Sequence, residues 1–435
     1  MKIAVIGGAG VRTPLLVSGL TASDLPIDEI ALYDIDADRL TVIADIAARM
    51  LERSETRARI TRSPSVRDCV ASADFVFTSI RAGGTVRRIA DEATTQRHGI
   101  VGQETVGPAG FAMAMRNIPP MVGYAREIAA ASPHAWIINF TNPVGMVTEA
   151  MRTVTDRAIG ICDTPTELFE SATHALDLDP RDCYFDYFGL NHLGWLREVY
   201  ARGEPQLHRL WNDADRLQTI YKVPLFDAAA LRQLQLLPTE YVYYYDQPAR
   251  AFDNVRRAAR TRGQVIDALT TALFESVRRS AVDSLEHYRA YLAARSAGYM
   301  TLESGSPPAA HAPWQPQMSG YDKIALAVVR AIHANANDII PLSVVNRSTI
   351  ADLGDSDVVE VPCVVNGNGA RPLHVGTVPE RVRILLQQVK DYERRTVAVA
   401  LAPSVDAARA ALAANPLVPN RAVAAALVDD LLPLW

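Results

Sequence analysis

The first twenty residues restrict this chain more than any other stretch. Lys2-Ile3-Ala4-Val5-Ile6 is a short apolar, partly β-branched run, Gly7-Gly8-Ala9-Gly10 follows at once, and residues 11–20 read as a helix. Strand, glycine turn and helix in that order bring backbone N–H groups and a helix N-terminus to the place where a pyrophosphate binds. The pattern is Gly-Gly-x-Gly, with Arg12-Thr13-Pro14 where the dinucleotide fingerprint has its third glycine. A tight turn without a ligand would use the same residues. The next strand, residues 29–33, ends in Asp34-Ile35-Asp36. An acid about 20 residues past the glycines is placed for the ribose hydroxyls of NAD, and it repels the 2′-phosphate of NADP. Asp34 is assigned that role, and Asp36 the N-cap of a helix over 37–51.

The alternation continues. Strands are predicted at 58–61, 74–80, 135–140 and 157–162, and helices at 65–71, 112–131 and 164–176, with Arg81-Ala82-Gly83-Gly84 as a mobile loop over the nicotinamide end. This order predicts an α/β fold with a Rossmann-like, doubly wound parallel sheet and a ligand crevice at its strand C-termini. Asn142 and Cys162 fall at such ends, and His192 lies beyond another strand-like run. Past residue 200 the alternation stops. Residues 205–300 read mostly as helices, 303–314 as a loop rich in Pro, Ser and Ala, and 321–335 as a helix. Strands at 342–345 and 357–365 and helices at 381–401 and 405–414 complete the chain. The 435 residues are therefore divided into an NAD-binding domain, 1–195, and an α+β domain, 196–435, for substrate, metal site and oligomerisation.

Composition excludes some partners. The net charge is −5 with no basic block, which argues against nucleic acid or a membrane surface as partner. Four cysteines without a disulfide spacing favour a reducing compartment. No apolar run reaches the ~18–20 residues that span a bilayer, and the N-terminal apolar run is too short for a signal sequence. A soluble cytoplasmic protein is expected.

Two runs carry soft metal ligands: Gly160-Ile161-Cys162-Asp163-Thr164-Pro165 and Gly189-Leu190-Asn191-His192-Leu193-Gly194-Trp195. Thiolate and imidazole suit Mn, Fe, Co, Ni or Zn better than Mg or Ca. A structural site normally has four protein ligands, so two imply an open site completed by substrate. Singly, Cys162 reads as well as a small buried hydrophobe, and His192 as a turn histidine. Gly102-Gln103-Glu104-Thr105-Val106-Gly107-Pro108-Ala109-Gly110 reads as a substrate-lining loop, or else a glycine-rich connector. In Pro238-Thr239-Glu240-Tyr241-Val242-Tyr243-Tyr244-Tyr245 the last three tyrosines suit a core, whereas Tyr241 follows a turn and can face a cleft. A phenol with a pKa of ~10 acts as a base only where a cation, such as a divalent metal, stabilises phenolate.

Taken together these residues resemble the family-4 glycoside hydrolases, the NAD- and metal-dependent glycosidases. The resemblance runs over nearly the whole chain, through Val5-Ile6-Gly7-Gly8, Arg12-Thr13-Pro14, Ile80–Gly84, Arg88, Asp91-Glu92, Gly102–Thr105, Asn139–Pro143, Cys162, Gly189–His192 and the Tyr241 run. It continues in Arg295, Gly298-Tyr299, Val344–Asn346, Val359–Cys363 and Lys390–Glu393. Within the family the chain looks most like the 6-phospho-β-glucosidase branch. The resemblance implies a lactate/malate dehydrogenase-like arrangement of the fold. NAD+ would lie on Gly7, Gly8, Gly10, Arg12, Thr13, Asp34 and Arg81, and a divalent metal, usually Mn2+, on Cys162 and His192. It also implies hydride removal from the sugar C3-OH, C2 deprotonation by Tyr241, elimination at C1, addition of water and return of the hydride. Gln103, Glu104 and Asn191 would line the sugar, with Arg88, Asn142 and Arg295 on a 6-phosphate. Asp163 stands where the β-branch usually has Asn and is reminiscent of a proton donor in the 6-phospho-α-glucosidases. The α-phosphate and unphosphorylated glycosides therefore stay open as substrates. A homodimer or homotetramer is expected from the family. Two rivals share the opening fold: a lactate/malate-type 2-hydroxy acid dehydrogenase and a non-catalytic NAD-binding regulator. The dehydrogenase leaves Gln103-Glu104-Thr105 and Tyr241 without a task, and the regulator leaves Cys162, His192 and Tyr241 without one.

Overall fold

In the computed structural model, which describes residues 1–54, 56–306 and 320–434, the opening run is a central strand, β1 (Lys2–Ile6). It pairs in parallel with β2 (Glu29–Tyr33), which carries β3 (Arg59–Arg62) on its far side. On its other edge β1 pairs with β4 (Phe75–Thr78), and β5 (Trp136–Asn139) and β6 (Ala158–Gly160) follow, again in parallel. Alternate β1 residues sort to opposite faces. Ile3 and Val5 join a core with Leu16, Val17 and Leu20, while Ala4 and Ile6 join one with Phe111, Met146 and Val147. A parallel sheet covered on both faces needs apolar residues at every position, which is why β1 reads as an unbroken apolar run. The Asp36 side chain caps the helix Ala37–Leu51 by accepting from Arg39 N at 3.0 Å.

A second, antiparallel sheet comprises β7 (Cys183–Leu190), β8 (Leu193–Ala201), β9 (Glu204–Pro205) and β10 (Leu237–Pro238). The remaining strands, β11 (Asp338–Val345), β12 (Val358–Asn366) and β13 (Gly369–Pro372), extend the first sheet beyond β6. Among the described residues that sheet has nine strands, in the order β13-β12-β11-β6-β5-β4-β1-β2-β3, and β11, β12 and β13 each pair antiparallel with their neighbours. The junction is one bridge, Ser343 to Gly160. Gly160 makes it possible: a Cβ there would lie 2.8 Å from Ser343 Cβ and 2.6 Å from Thr148 Oγ1.

Two sequence expectations change. Gly107–Gly110 is not loop but the first turn of the helix Gly107–Ala131, with Pro108 in the first turn, where its missing N–H costs nothing. Glu303 and Ser304 close a short helix, Thr301–Ser304, and the rest of the expected 303–314 loop from 307 on lies outside the described residues. The strand β13 and the helix Arg421–Leu431 carry no strong sequence signal and were not anticipated. Among the described residues no helix is long and apolar enough to cross a membrane.

Candidate active site

The site lies at the C-terminal ends of β1, β4, β5 and β6, closed by the β7–β8 hairpin and the segment around Tyr241. At the glycine turn, Gly7 N and Gly8 N donate to Tyr33 O at 3.0 and 2.8 Å. Gly7 has φ +88°, and a Cβ would come within 2.3 Å of Ser79 O, so only glycine lets the turn close on the end of β4. Asp34 Oδ2 accepts from Ala9 N at 3.0 Å and Oδ1 from Asp36 N at 3.1 Å, which fixes the carboxylate at the lip of the turn. Burial raises its pKa. Gly10 N closes back on Gly7 O at 3.0 Å, and Thr13, buried, opens the helix Thr13–Thr21. The backbone cradle thus fits a pyrophosphate, with Asp34 in place for a ribose. Arg12 lies over the Tyr321 ring at 5.1 Å and 4.0 Å from Asp163, bridging the turn to the end of β6.

Cys162 sits two residues past β6 and is buried, its Sγ 3.9 Å from Asp163 Oδ1. Burial and the Glu360 and Asp163 carboxylates push the thiol well up. His192 occupies the tip of the β7–β8 hairpin in a left-handed conformation, φ +65°. Its Nδ1 shares a hydrogen with Thr105 Oγ1 at 2.8 Å, which leaves Nε2 for an ion. Burial lowers its pKa to about 4, so the ring is neutral and ligand-competent at pH ~7. The Tyr241 ring stacks on His192 with centroids 3.7 Å apart and planes 4° apart. Among the described residues no group of three or more His, Cys, Asp or Glu side chains could hold a metal by itself. Cys162 and His192 fit an open site, and a divalent ion is the agent that would turn this buried thiol into a thiolate.

Opposite lies a cationic wall. Glu104 Oε2 is 2.5 Å from Arg81 Nη1 and 2.8 Å from Arg88 Nη1, and Arg88 Nε donates to Glu92 Oε1 at 2.7 Å. Burial alone would raise the Glu104 carboxyl, but the two guanidinium groups outweigh it and hold it well below the usual range. Arg295 Nη1 donates to Tyr291 Oη at 3.1 Å, and Arg262 Nη2 donates to Arg295 O at 2.8 Å. Burial depresses both guanidinium groups. Asn142 precedes a cis proline; its carbonyl accepts from Asn117 Nδ2 at 2.7 Å, and its buried Oδ1 has no partner among the described residues. The Gln103 side chain turns inward: Oε1 accepts from Thr105 N at 2.6 Å, Thr105 Oγ1 at 2.8 Å and Val106 N at 2.8 Å. Gln103 therefore shapes the loop that presents Thr105 to His192.

Two residues without a role in the sequence reading complete the site. Glu360, on β12, accepts from Tyr187 Oη at 2.8 Å and from Asn191 Nδ2 at 3.0 Å. Glu240 Oε1 accepts from Tyr299 Oη at 2.9 Å and from Thr164 Oγ1 at 3.3 Å. Burial raises both carboxyls to about 7. The one signal for Glu240 was an acid in an otherwise apolar and aromatic run. Glu360, an acid at the centre of a valine-rich strand, gave the same signal.

A family model described as family 4 glycosyl hydrolase matches residues 2–178, and the model of that family's C-terminal domain matches residues 187–418. The chain is 30% identical to a probable 6-phospho-beta-glucosidase of Bacillus subtilis, over 99% of this chain and 96% of that one. It is 28% identical to the phospho-alpha-glucosidase PagL of Clostridium acetobutylicum, over 99% and 97%. It superposes with a TM-score of 0.84 on the 6-phospho-beta glucosidase of Thermotoga maritima solved with manganese, NAD+ and glucose-6-phosphate. That structure is 28% identical and is covered over 98% of its chain by all of this one.

Proposed function

The chain belongs to the family 4 glycosyl hydrolases, and from this premise we propose that it hydrolyses 6-phospho-β-glucosides with NAD+ and a divalent metal, Mn2+ first among candidates. The observation that carries the proposal is the stacking of Tyr241 on His192 at 3.7 Å, beside the buried Cys162 thiol. Glycosidases with two flanking carboxylates need neither a soft ligand pair nor a phenol at that place. Bound here, NAD+ supplies reversible oxidation at C3 of the sugar, and the metal supplies polarisation of the sugar oxygens. The chain's own residues do the rest. The glycine turn and Asp34 hold the cofactor, with Arg12, Thr13 and Arg81 at its rim, and Cys162 and His192 hold the ion. Tyr241 accepts the C2 proton, which a C3 ketone acidifies, and Gln103, Glu104 and Asn191 shape the sugar pocket. Arg88 and Arg295 orient the phosphate, and Asn142, whose Oδ1 is an unpartnered acceptor, takes a hydrogen bond from a sugar hydroxyl at the same end. The division at residue 195 is proposed as one between an N-terminal part that carries the cofactor residues and both metal ligands and a C-terminal part that adds Tyr241 and Arg295 to the substrate site. A phosphorylated substrate does not cross membranes unaided, which places the work in the cytoplasm.

A second reading is favoured by Asp163. Next to Cys162 and 4.0 Å from Arg12, it is placed as a proton donor for a 6-phospho-α-glucoside. One assay separates the two: release of p-nitrophenol from the 6-phospho-β- and 6-phospho-α-D-glucosides under reducing conditions, with NAD+ and Mn2+ each omitted in turn. Turnover that needs both cofactors and prefers the β-anomer is expected. Full turnover without NAD+ overturns the mechanism, and preference for the α-anomer selects the second reading.

A further inference from the structure

Tyr241 is an unpromising base taken by itself. A phenol ordinarily titrates near pH ~10, so phenolate is scarce at neutral pH. The site contains a second way to draw a proton through this oxygen. Tyr241 Oη lies 3.5 Å from Tyr299 Oη, the outer edge of hydrogen bonding, and Tyr299 Oη lies 2.9 Å from Glu240 Oε1. A phenol has one hydrogen. Tyr299 commits its own to the carboxylate, the shorter and charge-assisted bond. The hydrogen between the two phenols is then that of Tyr241, and the lone pairs of Tyr241 are left to face the cavity. Such contacts tighten when substrate fills a site.

We propose that Tyr299 and Glu240 form a proton relay behind Tyr241, so that the proton taken from the sugar ends on Glu240 and no free phenolate is required. The inference rests on the reading of Tyr241 as the group that takes the C2 proton. In the step, the C2–H bond breaks and its electron pair stays on the sugar, conjugated with the C3 carbonyl. The proton joins Tyr241 Oη, the Tyr241 hydrogen passes to Tyr299 Oη, and the Tyr299 hydrogen passes to Glu240 Oε1. One C–H and two O–H bonds break and three O–H bonds form. The reverse sequence returns a proton to C2 once water has added. Tyr299 and Glu240 act through Tyr241 and are positioning residues.

The surroundings of Glu240 suit the end of such a relay. Glu167 and Asp163 face it from the helix Thr164–Ala175 and its N-cap, Tyr221 and Lys222 from the 220s segment, Glu360 from β12, and Tyr241 and Tyr299 directly. Lys222 pairs at 2.8 Å with Glu167, so no cation is committed to Glu240 among these groups. Burial and the surrounding acids raise the Glu240 carboxyl to about 7, where a group takes and returns protons with equal ease.

The test uses the full chain with NAD+ and Mn2+ and a 6-phospho-β-glucoside deuterated at C2, so that breaking this bond limits the rate. Turnover is followed across H2O/D2O mixtures for the wild type, Tyr299→Phe, Glu240→Gln and Glu240→Asp. The expected wild-type plot is bowed, as several protons move together. Tyr299→Phe and Glu240→Gln lower kcat by about 10- to 100-fold, straighten the plot and leave KM unchanged, and Glu240→Asp restores part of the bowing. NAD+ binding and melting temperature verify that each variant is folded. A bowed plot with kcat within about twofold of wild type in both Tyr299→Phe and Glu240→Gln overturns the relay while leaving Tyr241 as the base. Tyr241→Phe turning over within about twofold of wild type overturns the reading of Tyr241, and the relay with it.

Discussion

Glu104 and Glu240 are both half-buried carboxylates on the rim of the same cavity, yet their environments are opposite. Glu104 stands between Arg81 and Arg88 and is locked in its ionised form. Glu240 stands among Asp163, Glu167 and tyrosines, and its carboxyl is raised to about 7. One wall is thus a cationic surface whose charges are already paired. It recruits an anion through guanidinium groups held in place by Glu104 and Glu92. The other is an acidic surface in which Cys162, Asp163, Glu240 and Glu360 share a deficit of positive charge. A divalent cation relieves that deficit, and so does a proton. A substrate that is phosphorylated at one end and loses a proton near the other suits this division of charge.

Four experiments break or sharpen the contrast. Cys162→Ser removes the soft ligand from the acidic wall and is expected to lower kcat/KM by about 1,000-fold or more. Titration with Mn2+ checks that the loss is one of metal affinity and not of folding. Arg88→Met disturbs the cationic wall, since truncating one partner of a buried pair costs about 2–5 kcal/mol. Here KM for the phosphorylated glycoside is expected to rise by about two orders of magnitude. An equal loss on an unphosphorylated glucoside would show that Arg88 serves only to hold Glu104. Thr105→Val cuts the hydrogen bond that ties the Gln103–Val106 loop to His192, the proposed metal ligand. Such partners of a ligating histidine are worth about 10- to 100-fold in metal affinity, read by calorimetry with Mn2+. The smallest effect is thermal. Glu240 has a folded pKa above the usual 4.5, so its contribution to stability is full below that value and is lost as pH rises through about 7. Glu104 is shifted the other way, so its contribution is lost only in strong acid and is flat over this range. The melting temperature of wild type relative to Glu240→Gln should therefore fall by about 2 °C between roughly pH 5 and pH 8.

What the sequence disclosed follows from how local each feature is. The β1 run, the glycine turn and the split between Asp34 and Asp36 are decided within a few residues. There the structure agrees on the strand, the turn and the Asp36 cap on Arg39 N. Cys162, His192 and Tyr241 were legible as candidates, although nothing local says that Tyr241 stacks on His192, 49 positions earlier in the chain. Glu240 and Glu360 could be seen as misplaced acids, but their chemistry comes from burial among hydrogen-bond partners 59 to 173 positions away in sequence. The same holds for the first sheet. β11 and β12 looked like members of a separate α+β unit because adjacency to β6 runs through a single bridge at Gly160, which no periodicity encodes. Gly107–Gly110 was misread for a simpler reason: its glycines and proline signal loop, yet they suit the first turn of a helix.

That bridge at Gly160 bears on how the chain is made. During synthesis the parallel strands β1 to β6 emerge well before Asp338–Val345 exists to lie against β6. For that interval β6 is an edge strand with open backbone donors and acceptors, two residues from the thiol of Cys162. The nascent chain therefore has a period in which this open sheet edge and the proposed metal ligand beside it coexist, and the arrival of β11 closes the edge.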